Sequence, residues 1–147
     1  MQKNVTVQIL GSQKFSEGHE DQQELSVPGT FYERNNAFTV VYKEPESVSG
    51  FEGVTTFLTA KKGCVTLNRK GSVDLLQEFQ VGARSISKYS TPFGKLWLSV
   101  LPQRVESDLT AQRGRISLEY DLFVDDNFVS HNLLWVTIKE DNPHESL

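Results

Sequence analysis

Glycine recurs at positions 50, 53, 63, 71, 82 and 94, cutting GFEGVTTFLTAKKGCVTLNRKGSVDLLQEFQVGARSISKYSTPFG into short segments. Short alternating segments between turn residues are strands joined as hairpins, because an amphipathic helix needs a longer uninterrupted run. In the middle piece, Val65, Leu67 and Arg69 fall on one side of an extended chain, with Thr66, Asn68 and Lys70 on the other. The first side is the apolar one, so an arginine shares the face expected to be buried. A guanidinium does not shed its charge, and there it needs a partner or a route to solvent. Arg69 therefore either snorkels from a strand end, pairs with an internal carboxylate, or anchors an anionic ligand.

The rest of the chain follows the same pattern. Val5, Val7 and Ile9 alternate with Thr6, Gln8 and Leu10 in an opening strand, and residues 16–21 read as a polar loop. Residues 24–34 are extended, with Pro28-Gly29 expected to force a bulge or corner. Asn35-Asn36 supplies a two-residue hairpin turn, and residues 43–50 read as a charged connection. Lys61-Lys62-Gly63 joins a second hairpin, and residues 73–79 fit a strand better than one short helical turn. Leu96, Leu98 and Val100 make a strand that Pro102 ends or bends. Ile116, Leu118, Tyr120, Leu122 and Val124 give the cleanest alternation, Asp125-Asp126-Asn127 turns the chain, and Asn132, Leu134, Val136 and Ile138 share a face of the last strand. Residues 1–140 form one domain and 141–147 a polar tail.

Closing such a meander removes its exposed edges, so the expected fold is all-β: a single antiparallel up-and-down β-barrel of about 8–10 strands, with a sandwich as the alternative. A chain of 147 residues can bury a core without disulfides. Its formal charge of -4 disfavours nonspecific nucleic-acid binding. The lone Cys64 allows no internal disulfide and fits a reducing compartment, and no apolar run is long enough to span a bilayer, so the expected location is cytoplasmic.

Three motifs occur in order: Glu52-Gly53-Val54-Thr55-Thr56, then Val65-Thr66-Leu67-Asn68-Arg69-Lys70-Gly71, then Tyr89-Ser90-Thr91-Pro92-Phe93-Gly94. In these, and over nearly its whole length, the chain resembles the bacterial YwiB-like family of uncharacterised small proteins. The resemblance implies a calycin-type barrel, the architecture of lipocalins and fatty-acid-binding proteins. It implies no activity and transfers no catalytic residue.

The motifs of common enzymes are missing: there is no nucleophile elbow, GxGxxG, P-loop or HExxH. An enzyme is thus disfavoured, with no cofactor or metal site expected. His19, His131 and His144 are far apart and read as surface residues, and Cys64 as a small core filler. Glu119 and Asp121 share a strand face of the kind that is normally solvated. Two functions remain. In the first, the barrel binds a small anionic or amphipathic ligand, with Arg69, Tyr120 and Asn132 inward by parity and Tyr42 and Tyr89 added to them. In the second, a filled barrel acts as an interaction module through outward Trp97, Phe123 or Trp135. An interior cavity favours the first and a packed lumen the second.

Overall fold

The computed structural model describes residues 2–45, 53–110 and 113–141. Its ten strands are β1 (Gln2–Phe15), β2 (Glu20–Arg34), β3 (Ala37–Lys43), β4 (Thr55–Lys61), β5 (Cys64–Lys70), β6 (Leu75–Phe79), β7 (Ser85–Thr91), β8 (Gly94–Leu109), β9 (Arg113–Val124) and β10 (Asn127–Glu140). All pairings are antiparallel, in the order β6-β5-β4-β3-β2-β1-β10-β9-β8-β7. The first strand thus pairs with the last, and the sheet's two edges are the mid-chain strands β6 and β7. Among the described residues those edges are drawn together by two isolated bridges: Asp74 N donates to Ser90 O at 2.9 Å and Ser90 N to Asp74 O at 3.0 Å, and at the other end Ala83 N donates to Gln80 O at 3.0 Å. Gln77 Nε2 adds bonds to Ser85 O at 3.0 Å and Ser85 Oγ at 3.1 Å, and Ser87 Oγ donates to Leu76 O. The result is a nearly closed ten-strand barrel.

Turn chemistry accounts for the tight hairpins. Asn35 and Asn36 have φ of 52° and 65°, and Asp125 and Asp126 have 47° and 67°. A two-residue hairpin turn needs positive φ at both central positions, which Asn and Asp tolerate better than other side chains.

Two expectations change, and at Pro102 the structure decides between the two alternatives. The polar loop is shorter than residues 16–21, because β1 runs on to Phe15 and β2 begins at Glu20, both held by pairing with each other. Pro28-Gly29 causes no bulge: Thr6 faces Pro28 and Val5 faces Gly29 in unbroken register. Proline is tolerated because pairing of β2 with β3 starts only at Gly29. Gly29 is needed for close approach, since a Cβ there would lie 2.8 Å from Val41 O and 2.9 Å from Val7 Cγ2. Pro102 does not end β8. The register shifts between Pro102 and Arg104, and the strand continues to Leu109 along β9.

The inward faces alternate with polar outward ones, as in β4, where Thr56, Leu58 and Ala60 are buried and Thr55, Phe57 and Thr59 are half-buried. Val5, Val7, Val65, Ile116, Leu118, Val136 and Ile138 are almost wholly buried in one cluster. Of the expected tail, Asp141 is tied to β1 by a backbone bond to Asn4 O at 2.9 Å and by the Thr6 hydroxyl at 2.8 Å. Residues 142–147, with His144, lie outside the described residues, as do residues 46–50 of the charged connection and Glu52 of the first motif.

Candidate functional site

A cavity of about 630 Å3 lies inside the barrel, towards the end at which β1 turns into β2, β5 into β6 and β7 into β8. Arg69, Tyr120, Asn132, Tyr42 and Tyr89 all line it. Most of its wall is apolar, including Ile9, Leu58, Leu67, Phe79, Leu118 and Val136.

The polar wall is built by strand register. Tyr42, Thr56, Arg69 and Leu75 are successive cross-strand partners on β3, β4, β5 and β6, which sets one inward row. Glu44 follows Tyr42 by two residues and keeps its inward parity, held by its backbone N donating to Val54 O at 2.9 Å. The Thr56 hydroxyl donates to Glu44 Oε2 at 2.5 Å, and Arg69 Nε stands 3.7 Å from the same oxygen. The side chains of Glu44 and Arg69 are 4% and 23% exposed, so the acid is the more deeply buried member. Glu44 is the site residue that strand reading missed, because a carboxylate next to Pro45 looks like part of a charged connection. Its spacing from Val40 and Tyr42 was the available signal.

Both deep phenols are held in the protonated form. Burial pushes the Tyr42 hydroxyl above its ordinary range and the Glu44 carboxylate pushes it further, while the Arg69 charge opposes them. Burial raises Tyr120 as well, again against Arg69. Tyr120 packs edge-on to Phe79 with ring centroids 4.9 Å apart and faces Asn132 across β9 and β10. Asn132 Nδ2 donates to Ser130 Oγ at 3.1 Å and Ser130 O at 3.3 Å, and Gln13 Nε2 also reaches Ser130 Oγ at 3.1 Å. Tyr89 completes the wall from the end of β7 and is half-buried. The arrangement offers hydrogen-bond donors and acceptors at one side of an apolar chamber.

The remaining chemical candidates lie elsewhere. Cys64 has the opposite parity to buried Val65 and is half-buried on the outer side, so it does not fill the core. On the outside of β9 and β10, His131 Nδ1 is 2.7 Å from Asp121 Oδ1 and Nε2 is 2.8 Å from Glu119 Oε2. Glu119 and Asp121 are thus half-buried partners of a histidine rather than a plain solvated face. The Asp121 hydrogen bond, followed by that of Glu119 and both charges, raises the His131 pKa against the opposing effect of burial. Arg104 Nη1 lies 3.7 Å from Glu119 Oε1, and Gln103 Nε2 donates to Asp121 Oδ2 at 3.1 Å. His19 sits in the β1–β2 turn, stacked on Phe15 and 2.9 Å from Asp21. Of the outward aromatics, Trp97 is exposed while Phe123 and Trp135 are half-buried. A second recess, of about 610 Å3, lies on the outer face across β2 to β6, between Tyr32, Phe57, Leu76 and threonines.

Comparison with known proteins gives a consistent picture of fold and none of activity. Residues 7–135 match the family model described as "Domain of unknown function (DUF1934)". The chain is 33% identical over 110 residues, 75% of each chain, to the uncharacterized beta-barrel protein YwiB of Bacillus subtilis (strain 168). It is similar to the crystal structure of the ywiB protein from Bacillus subtilis with a TM-score of 0.86 at 26% identity, over 96% of this chain and 94% of that one.

Proposed function

This chain belongs to the DUF1934 family of β-barrel proteins, and from that premise we propose that its barrel is a container for a small amphipathic molecule. The observation that carries the reading is the cavity of about 630 Å3 with its polar groups gathered around Arg69 and Glu44. Binding sites for small molecules enclose about 300–1,000 Å3 and combine apolar walls with a few convergent polar groups. The head group rests against Arg69, Glu44, Tyr42, Tyr120 and Asn132, with Tyr89 beside them. The apolar part packs among Leu58, Leu67, Phe79 and Leu118. The protein holds its ligand without transforming it, in the cytoplasm.

The test is a fluorescence titration with N-phenyl-1-naphthylamine, an uncharged probe that brightens in apolar surroundings, paired with thermal melts. Wild type should bind the probe saturably and melt higher in its presence, because a ligand of the native state raises apparent stability. Leu67→Trp, which takes space from the apolar part of the chamber, should weaken both effects while still melting cooperatively. Binding by wild type and Leu67→Trp alike would place the probe outside the barrel and remove the support for a container.

A second reading uses the surface. Ile86, Trp97 and Phe93 are 62%, 55% and 100% exposed on β7, β8 and the turn between them, a place where a protein partner can dock. It gains ground if the probe titration shows no interior binding.

A further inference from the structure

The container reading leaves open what head group the chamber prefers, and the charges lining it bear on that choice. Among the described residues they are Arg69, Glu44 and Asp21, one cation against two carboxylates. Asp21 is 60% exposed and lies beside His19, so solvent screens it. Glu44 is different. Its side chain is 4% exposed, its backbone is pinned to Val54, and the Thr56 hydroxyl and Arg69 Nε both address Oε2.

We infer that Glu44 is a specificity residue: by acting as the internal counter-ion of Arg69, it makes the chamber prefer an uncharged amphipath, such as an alcohol or primary amide, over a carboxylate of the same chain length. An anion approaching the guanidinium must share it with Glu44. Two carboxylates a few ångströms apart in a low-dielectric interior repel far more strongly than in water. An uncharged hydroxyl or amide meets no such repulsion. It can accept from Arg69 or the two protonated phenols and donate to Glu44 or the Asn132 carbonyl. The same contacts that make the wall polar therefore select against charge.

The inference rests on the container reading, and one experiment separates the two. 1-Dodecanol, dodecanamide and dodecanoate are each used, below their aggregation concentrations at pH 8, to displace N-phenyl-1-naphthylamine from wild type and from Glu44→Gln. Wild type should bind the alcohol and the amide at least tenfold more tightly than dodecanoate. Glu44→Gln removes the carboxylate that repels an incoming anion and should bind dodecanoate at least tenfold more tightly than wild type does. Dodecanoate binding to wild type as well as the alcohol overturns the inference and leaves the container standing. So does a set of three amphipaths that all fail to displace a bound probe. Should the Gln variant fail to fold, the wild-type ranking decides alone; if it folds and gains nothing for dodecanoate, Glu44 is not the determinant. A wild type that binds neither the probe nor any amphipath overturns both.

Discussion

Arg69 Nε and Glu44 Oε2 face each other at 3.7 Å inside the barrel, with the Thr56 hydroxyl donating to the same carboxylate oxygen. The pair joins the end of β5 to the residue just after β3, across β4. Two buried charges that match one another add little net stability, yet each is costly once its partner is gone.

Removing the cation should therefore be expensive. Arg69→Met leaves the Glu44 carboxylate in a site that is 4% exposed. Breaking a buried pair costs roughly 3–5 kcal/mol, and the partial exposure of Arg69 puts the expected loss near the lower end, at about 3 kcal/mol. Glu44→Gln in the same chain should restore a large part of it. Urea melts of the two single variants and the double variant give the coupling, and strict additivity would mean that the contact carries no energy.

Among the described residues, the seam between β6 and β7 is held by two isolated backbone bridges and three side-chain bonds in place of a ladder, which makes it the weakest closure of the barrel. Gln77 is 2% exposed and supplies two of those bonds. Gln77→Leu keeps volume but leaves Ser85 O without that donor, a loss of about 1–3 kcal/mol. Amide exchange should speed up first in β6 and β7. Uniform acceleration across all strands would show that the seam is no weaker than the rest.

Most of the strand pattern could be read from the chain because one face is buried and alternation records it: Ile116 and Leu118 on β9 and Val65 on β5 are buried while the residues on either side of each are not. What escaped was set by tertiary pairing or by chemistry that overrides residue type. Residues 11–15 are mostly polar and become strand because β10 and β2 flank them on both sides. The far half of β8 lies beyond a proline that a bulge accommodates. Glu44 and Gln77 carry inward parity, but a polar side chain announces burial only through a partner, and Thr56, Arg69 and Ser85 are remote in sequence. Arg69 was legible for the opposite reason, since two apolar neighbours on its own strand marked its face.

Alkaline pH should weaken the protein through its buried phenols. Tyr42 and Tyr120 have folded pKa values above the unfolded value of about 10, so over that interval the unfolded chain loses protons that the folded chain keeps. Stability then falls as pH climbs past about 10. Tyr42→Phe should flatten that fall, as seen in melts at pH 9 and 10.5 alongside phenolate absorbance. An unchanged slope would show that Tyr42 ionises freely in the native state.

His131 should make stability depend on pH nearer neutrality, and with a definite sign. Both ring nitrogens contact a carboxylate oxygen, Asp121 at 2.7 Å and Glu119 at 2.8 Å, and both can donate only when the ring is protonated. The folded pKa is accordingly raised, with the Asp121 bond the largest cause. A raised value means that the folded state binds the proton more tightly than the unfolded chain. The stabilisation is complete below the unfolded value of about 6.5 and is lost as pH rises through the higher folded value. The ring is 36% exposed, so solvent and salt reduce the effect, and it should shrink further at high ionic strength. Urea midpoints for wild type should fall between pH 6 and pH 9 by more than those of His131→Gln, which keeps hydrogen-bonding capacity but cannot charge. The two proteins tracking each other across that range, at low salt as well as high, would show that the imidazolium bridge contributes nothing to folding.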